Sequence, residues 1–328
     1  MLTGLGVLIL VIYLSLSYGI FELTFTEVCK MLFGIQATNE YDVLIYQFRL
    51  PRILIAGLAG AGLAIAGTVF QGISRNGLAD PGILGINAGA GLAIVVFMFF
   101  YQGKFVGTDW LSILAMPFFG LLGGLGASLL VYLFSWKNER LDSQRFLLTG
   151  IALGFGFAAL TVFFTLKMNP ADFNTATIWG LGSLLHANWK YIISILPWFL
   201  LCLPIIFWKA EILDVFQLEE SSVKSLGVSV GKEQAILLLS STGLVSACVS
   251  VTGSIGFVGL IVPHLAKRLV GIHHAHVLPL AGVLGMILVI LADFIAKTIF
   301  APAEIAVGIV ISLIGVPYFI YLLSKSKT

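Results

Sequence analysis

Few residues in this sequence are of a kind that could do chemistry, and they fall in short, separated groups. Gly227-Val-Ser-Val-Gly-Lys232-Glu has the outline of a phosphate-binding loop. Three residues separate Gly227 from Gly231 where such a loop has four, and Glu233 stands where a Ser or Thr would ligand magnesium. The segment is therefore no nucleotide site, and any ATP used with this protein would be hydrolysed by another chain. His273, His274 and His276 could suggest a metal site. No carboxylate or thiolate is near them in the sequence, and Lys267 and Arg268 are close by, so they read as interfacial polar residues. Asp293 lies near the end of an apolar stretch, four residues before Lys297, and Glu304 opens the next. A carboxylate at the centre of a membrane helix costs about 2.5–3.5 kcal/mol. Both acids sit near an end, and Asp293 can pair with Lys297 at i,i+4. Arg49 and Arg52 flank Pro51 on one helix face, with proline suited to a helix start. They read as snorkelling anchors or as a docking point for an acidic partner. No residue reads as catalytic and none as a metal ligand.

The elements that must position these groups are set by composition. Of 328 residues 59% are hydrophobic and 10% charged, with a mean hydropathy of +1.04. A globular domain is about 25% charged, so the sequence predicts an all-α polytopic membrane protein and excludes an ordinary soluble one. Residues 1–328 read as one transmembrane domain, since no polar stretch is long enough to bury its own core. The stretch 2–20 reads as a retained first span and not as a cleaved signal. Cys29, Cys202 and Cys248 are scattered and read as small core hydrophobes, outside any disulfide or zinc pattern.

Apolar windows predict about ten spans, at 2–20, 50–72, 82–101, 111–136, 146–166, 191–208, 233–252, 255–266, 277–297 and 305–323. The eighth is short for a full crossing. Alternate loops sort the Lys and Arg residues unequally. Arg75, Lys137, Arg140, Arg145, Lys209, Lys224, Lys232, Lys267, Arg268, Lys325 and Lys327 make eleven on one side. Lys30, Arg49, Arg52, Lys104, Lys167, Lys190 and Lys297 make seven on the other. The positive-inside rule puts the first set, and both termini, in the cytoplasm.

Small residues line several windows: Gly57 to Gly67, Gly120 with Gly124, and Gly150 with Gly154, at spacings that let helices approach closely in lipid. Two polar loops stand out. Residues 167–190 form an external loop in which Trp179-Gly-Leu-Gly-Ser183 reads as a short surface helix. Residues 211–233, on the inner side, are amphipathic and read as an interfacial connector or as a docking element for a cytoplasmic partner. Between 253 and 271 the pattern reads as a short span broken at Pro263, with His264 satisfying the freed backbone groups and Lys267 and Arg268 pinning the inner end.

Taken together, the chain resembles the permease subunits of ATP-driven importers for ferric siderophores, haem and cobalamin, the FecCD-like type II ABC importer family. The residues that carry the resemblance begin with Arg49-Leu-Pro-Arg52, Gly60-Ala-Gly-Leu-Ala-Ile-Ala-Gly67 with Gln71, and Arg75-Asn-Gly-Leu-Ala-Asp-Pro81. They continue with Leu226-Gly227, Gly256-Phe-Val-Gly-Leu-Ile-Val-Pro-His264, Ala292-Asp293, Glu304-Ile-Ala-Val-Gly308 and Ile314-Gly-Val-Pro317. Gly77 and Ala306 stand where the family usually has proline, and Lys297 where it has arginine.

The resemblance implies a ten-helix type II ABC importer permease fold in a bacterial cytoplasmic membrane. It implies a second permease subunit (identical or paralogous), two cytoplasmic ATPase subunits and an external substrate-binding lipoprotein, with no nucleic acid partner. This chain would bind no cofactor; ATP and magnesium would be used by the partner ATPase. Arg49, Arg52 and Lys297 become candidates for docking the binding protein. Glu219, Glu220, Ser225, Leu226, Gly227 and Val228 become candidates for ATPase coupling. Gly60, Ala64, Gly67, Gln71, Pro263 and His264 become candidates for the pathway and its gate. The expected cargo is a ferric siderophore, of hydroxamate type on frequency, with haem or cobalamin as the alternative. A proton- or sodium-coupled transporter would need buried carboxylates and inverted repeats, neither of which is evident in the sequence.

Overall fold

A computed structural model describes residues 2–18, 27, 43–101, 110–137, 140–218, 220–299, 301 and 303–325. Cys29, Lys30, Lys104, Glu219 and Lys327, named above, lie outside the described residues. Among the described residues the regular elements are helices apart from a two-stranded antiparallel ribbon, β1 (Trp136–Lys137) and β2 (Arg140–Leu141). In order, the helices are α1 (Leu2–Ser17), α2 (Leu50–Ser74, entered through a π turn at Leu44–Arg49), α3 (Ile86–Tyr101) and α4 (Trp110–Ser135). Next come α5 (Ser143–Thr165), α6 (Pro170–Gly180), α7 (Trp189–Trp208), α8 (Ala210–Val215) and α9 (Glu220–Ser225). The chain closes with α10 (Val230–Thr252), α11 (Val258–Val270), α12 (His274–Thr298) and α13 (Val307–Lys325).

Each predicted apolar window contains a helix. Among the described residues six helical segments are long and apolar enough to cross a membrane: Leu44–Ser74, Ile113–Ser135, α5, α7, α10 and α12. Helices α1, α3 and α13 are shorter apolar ones. Local sequence explains several boundaries. Pro51 sits in the first turn of α2, where its missing N–H costs nothing. Asp142, Asn169 and Asn188 cap α5, α6 and α7 by accepting the N–H of Arg145, Asp172 and Tyr191.

Helices α2 and α10 form the centre and are buried along almost their whole length. Helices α4, α5 and α7 turn large apolar side chains outward, Phe155 being 75% exposed, as a lipid-facing layer requires. The small-residue stripes are used inside the chain. A Cβ on Gly60 would lie 2.2 Å from the Gly285 carbonyl oxygen, and one on Gly67 would lie 2.1 Å from that of Gly259. Gly120 and Gly124 meet Ser250 and Ser246, and Gly150 meets Leu84. Backbone therefore touches backbone where α2 crosses α12 and α11. Cys202 and Cys248 are buried free thiols that pack against Gly243 and Gly62 respectively.

Two sequence expectations need correction. The loop helix is α6, at 170–180, and Trp179–Ser183 is its end and exit. That exit is stitched into the bundle: Ser183 N–H donates to the Thr252 carbonyl at 2.9 Å, and Gly308 N–H to the Gly182 carbonyl at 3.1 Å. The break in the short span lies at 253–257, between α10 and α11, where Gly253 (φ 72°) and Phe257 (φ 66°) are both left-handed. Pro263 instead lies within α11, which runs through it. At 13 residues α11 is about 20 Å long, too short for the hydrocarbon core.

Candidate functional site

A proline inside a helix frees the carbonyl of the residue four before it, here Gly259. The partner of that carbonyl is Gln71 on α2. Its Nε2 donates to Gly259 O at 3.3 Å and to Leu260 O at 3.4 Å, while Oε1 accepts from Lys267 Nζ at 3.4 Å. His264 does not perform this task. Its Nε2 is buried without a hydrogen-bond partner among the described residues, and its ring meets Tyr318 edge-on at 6.0 Å. Gln71→Leu, which keeps the volume and removes the donor, is expected to cost about 1–3 kcal/mol. The check is a lowered melting temperature in detergent. Gln71→Asn, too short to reach, is expected to match it.

At one end of the bundle, α2 and α12 bring the candidate docking residues together. Arg52 makes a bidentate ion pair with Asp293, Nε and Nη2 lying 2.8–3.0 Å from its oxygens, and its Nη1 reaches Glu304 at 2.8 Å. Asp293 is 1% exposed and the Arg52 side chain 16%. The expected Asp293–Lys297 pair is thus displaced. Arg52 offers two parallel N–H groups that a lysine cannot, and Lys297 Nζ donates to the Ser15 carbonyl and hydroxyl on α1 at 2.8 and 3.0 Å. Arg49 is buried and donates to the Leu16 carbonyl. Arg49, Arg52, Lys297, Glu304 and Tyr18 line a cleft of about 300 Å³, with Leu184 and Leu185 on its wall.

The other end of the bundle holds the amphipathic region. Leu213, Phe216 and Val223 are buried against the helices, whereas Leu226 is 62% exposed beside Gly227, whose φ is 76°. Ser225 is exposed, Val228 half-buried, and Glu220 stands in the first turn of α9. Lys209 pairs with Glu233, tying the start of α8 to the first turn of α10. His274, expected at the interface, is 1% exposed. The reason is Asp214, remote in sequence, which accepts from His274 N–H at 2.8 Å and from Nδ1 at 2.6 Å, with His273 Nδ1 at 3.5 Å. Among the described residues no group of three or more His, Cys, Asp and Glu side chains could hold a metal.

Gly60, Ala64 and Gly67 are buried in helix crossings, so this conformation offers no open surface at them. The helix faces left open are elsewhere, on α5 and along α13, where Leu313 and Ser312 border a groove shared with Gly180 and Ser254. Sequence reasoning missed Asp214 and the role of Asp80. Asp80 is buried in the turn between α2 and α3, where it accepts Gly82 N–H at 2.8 Å and burial pushes its carboxyl up to about 6. The Asp80-Pro-Gly82 run was the available signal, a side chain able to fold back on its own turn.

A helical, lipid-faced bundle with a basic cleft at one end and an amphipathic ledge at the other defines a multi-pass membrane protein of the permease type. The chain belongs to the FecCD transport family, whose profile matches residues 7–325. It is 49% identical over 323 residues to the iron-uptake system permease FeuC of Bacillus subtilis, covering 98% of this chain and 96% of that one. It is 42% identical to the iron(3+)-hydroxamate import system permease FhuG of the same organism, covering 98% and 95%. Its structure is similar, with a TM-score of 0.85 and 32% identity over 99% and 98% of the two chains, to a transporter described as of metal-chelate ABC type in an inward-facing conformation.

Proposed function

We propose that the chain is the transmembrane permease subunit of an ATP-driven importer and translocates an iron(III)–siderophore delivered by an external binding protein. The observation that carries this reading is likeness along the whole chain to permeases of iron systems. In it the chain makes ten spans with both termini in the cytoplasm. The ledge at α8, α9 and Leu226-Gly227 rests on a partner ATPase, which binds and hydrolyses the ATP. A second permease subunit completes the pathway, and acidic residues of the binding protein meet the Arg49–Arg52–Lys297 cleft. The cargo is of the siderophore class, hydroxamate type included, since relatives that the chain matches carry that name.

A secondary transporter is disfavoured by the pairing of its best candidate carboxylate. Asp293 is buried and engaged by both Nε and Nη2 of Arg52, which suits a structural pair better than a proton carrier. The test is uptake into vesicles carrying this chain with the ATPase and binding protein from neighbouring genes. Uptake that needs ATP supports the reading, and uptake that survives without ATP and collapses with the proton gradient overturns it. Within that assembly Gly227→Val forces a branched side chain into a left-handed conformation at the exposed tip of the ledge. It is expected to cut uptake at least about tenfold and to abolish cargo-stimulated hydrolysis, read as phosphate release, with melting unchanged within about 2 °C. Unchanged stimulation would remove the ledge from coupling.

A further inference from the structure

The cations at the two ends of the bundle are treated differently. At the outer cleft Arg52 has Asp293 and Glu304. At the end that carries the ledge, Lys267 and Arg75 face a second cleft of about 290 Å³, together with Gln71, Asn76, Gln217 and His274. That lining contains no carboxylate. Among the described residues neither Lys267 nor Arg75 makes an ion pair; Lys267 is half-buried with only the Gln71 carbonyl oxygen as a long partner. His274 lies in the same lining. It is 1% exposed, its Nδ1 is committed to Asp214, and its Nε2 has no partner among the described residues. A half-buried ammonium without a counter-ion is costly, and a cleft that sets the exposed Arg75 guanidinium beside Lys267 has the character of an anion site.

The rim of the cleft says which anion. Ile272 lines it and is 61% exposed, and Leu269, the next-to-last residue of α11 and two positions after Lys267, is 67% exposed. Cations beneath exposed aliphatic side chains fit a phosphoryl group whose remainder is apolar. We propose that this cleft binds the phosphoryl group of an anionic phospholipid, with Lys267 and Arg75 on its oxygens and Ile272 and Leu269 against its acyl chains. The same oxyanion chemistry would accept free phosphate, and the two sources are separable by experiment. The cleft joins α2 (through Gln71 and the capping residue Arg75 that ends it), α11 (through Lys267) and the ledge (through Gln217). A bound headgroup therefore cross-links the ledge to the transmembrane helices. The binding site itself does not depend on the importer reading; the placement of the lipid in the inner leaflet does.

The test uses the purified full chain in nanodiscs of phosphatidylcholine containing one fifth phosphatidylglycerol, with retained lipid counted by native mass spectrometry. Each basic residue near a membrane surface contributes enough that losing both, in Lys267→Gln/Arg75→Gln, lowers phosphatidylglycerol retention roughly thirtyfold. Lys267→Arg keeps the charge and retains the lipid, and Lys232→Gln, an exposed lysine outside the cleft, leaves retention unchanged. If the double variant does not fold, the single variants take its place, each lowering retention about fivefold. Inorganic phosphate is titrated in parallel by thermal shift. A shift in the wild type alone, with no phosphatidylglycerol retained, assigns the cleft to free phosphate and overturns the lipid. Equal retention of phosphatidylcholine and phosphatidylglycerol, or equal phosphatidylglycerol in wild type and variants, overturns the site.

Discussion

Arg52→Ala is expected to remove most of the folded protein from the membrane, before any question of transport arises. The substitution leaves Asp293, 1% exposed, as a carboxylate with its bidentate partner gone. Stranding one member of a buried ion pair costs about 3–5 kcal/mol, which is a large share of the stability of most proteins. The measurements are the amount of protein extracted into mild detergent and its melting temperature. Arg52→Leu/Asp293→Leu, which removes both charges and keeps apolar volume, is expected to recover most of the loss, because burying neither ion avoids the desolvation that the pair has to offset. If Arg52→Ala melts like the wild type, the pair carries no stability and Asp293 tolerates isolation. The same geometry limits what charge reversal at Arg49 and Arg52 can reveal. A double reversal would put acids beside Asp293 and Glu304, so lost uptake would report a lost fold. Binding-protein affinity is informative only on variants that keep their melting temperature.

The second large effect is expected at Gly60. Alanine there would set its Cβ 2.2 Å from the Gly285 carbonyl oxygen and 2.6 Å from its carbon, and neither is a flexible atom that could swing aside. The helices must separate along their whole crossing, at a cost of about 3 kcal/mol for alanine and more for leucine. Gly285→Ala is expected to behave alike, since its Cβ would meet Gly60 O at 2.2 Å. The two together should cost less than the sum, because one separation serves both. Gly126 on α4 is the control. Nothing lies within 4 Å of the position its Cβ would take, so Gly126→Ala is expected to be neutral or to stabilise by up to about 1 kcal/mol. Thermal melting of the four proteins in one detergent decides the matter. A Gly60→Ala variant within 1 °C of the wild type would mean that the crossing is looser than described.

The helices were legible because a membrane segment must satisfy its own backbone and face lipid with apolar side chains, both of which leave long windows in the sequence. The partners of polar groups were not. Pairing Asp293 with Lys297 followed the one rule that single-chain spacing supplies, while the actual partner, Arg52, lies 241 residues away. Asp214 and His274 are separated by 60 residues, and nothing local to either announces the other. At Pro263 the sequence located a freed carbonyl correctly and assigned it to the nearest polar residue, His264. Gln71, 188 residues distant, reaches it because Gly67 and Gly259 let the two backbones close up. The small-residue stripe was visible as a pattern, but whether it faced a pathway or a neighbouring helix depended on which helix covered it. The resemblance to importer permeases singled out Arg49, Arg52 and Lys297, which line one cleft, and left their partners within the chain unstated.

The glycine crossing of α2 and α12 has a mechanical meaning. Each of these helices is 25 residues, about 37 Å, and they run in opposite directions, locked at mid-length through bare backbone. One end of the pair is clamped by Arg52 on Asp293, and the other is anchored by Asp214 on His274 and by Gln71 on α11. A pair held at its middle and both ends behaves as one strut. Under the proposed function, a push delivered to the ledge is passed along this strut to the cleft at its far end.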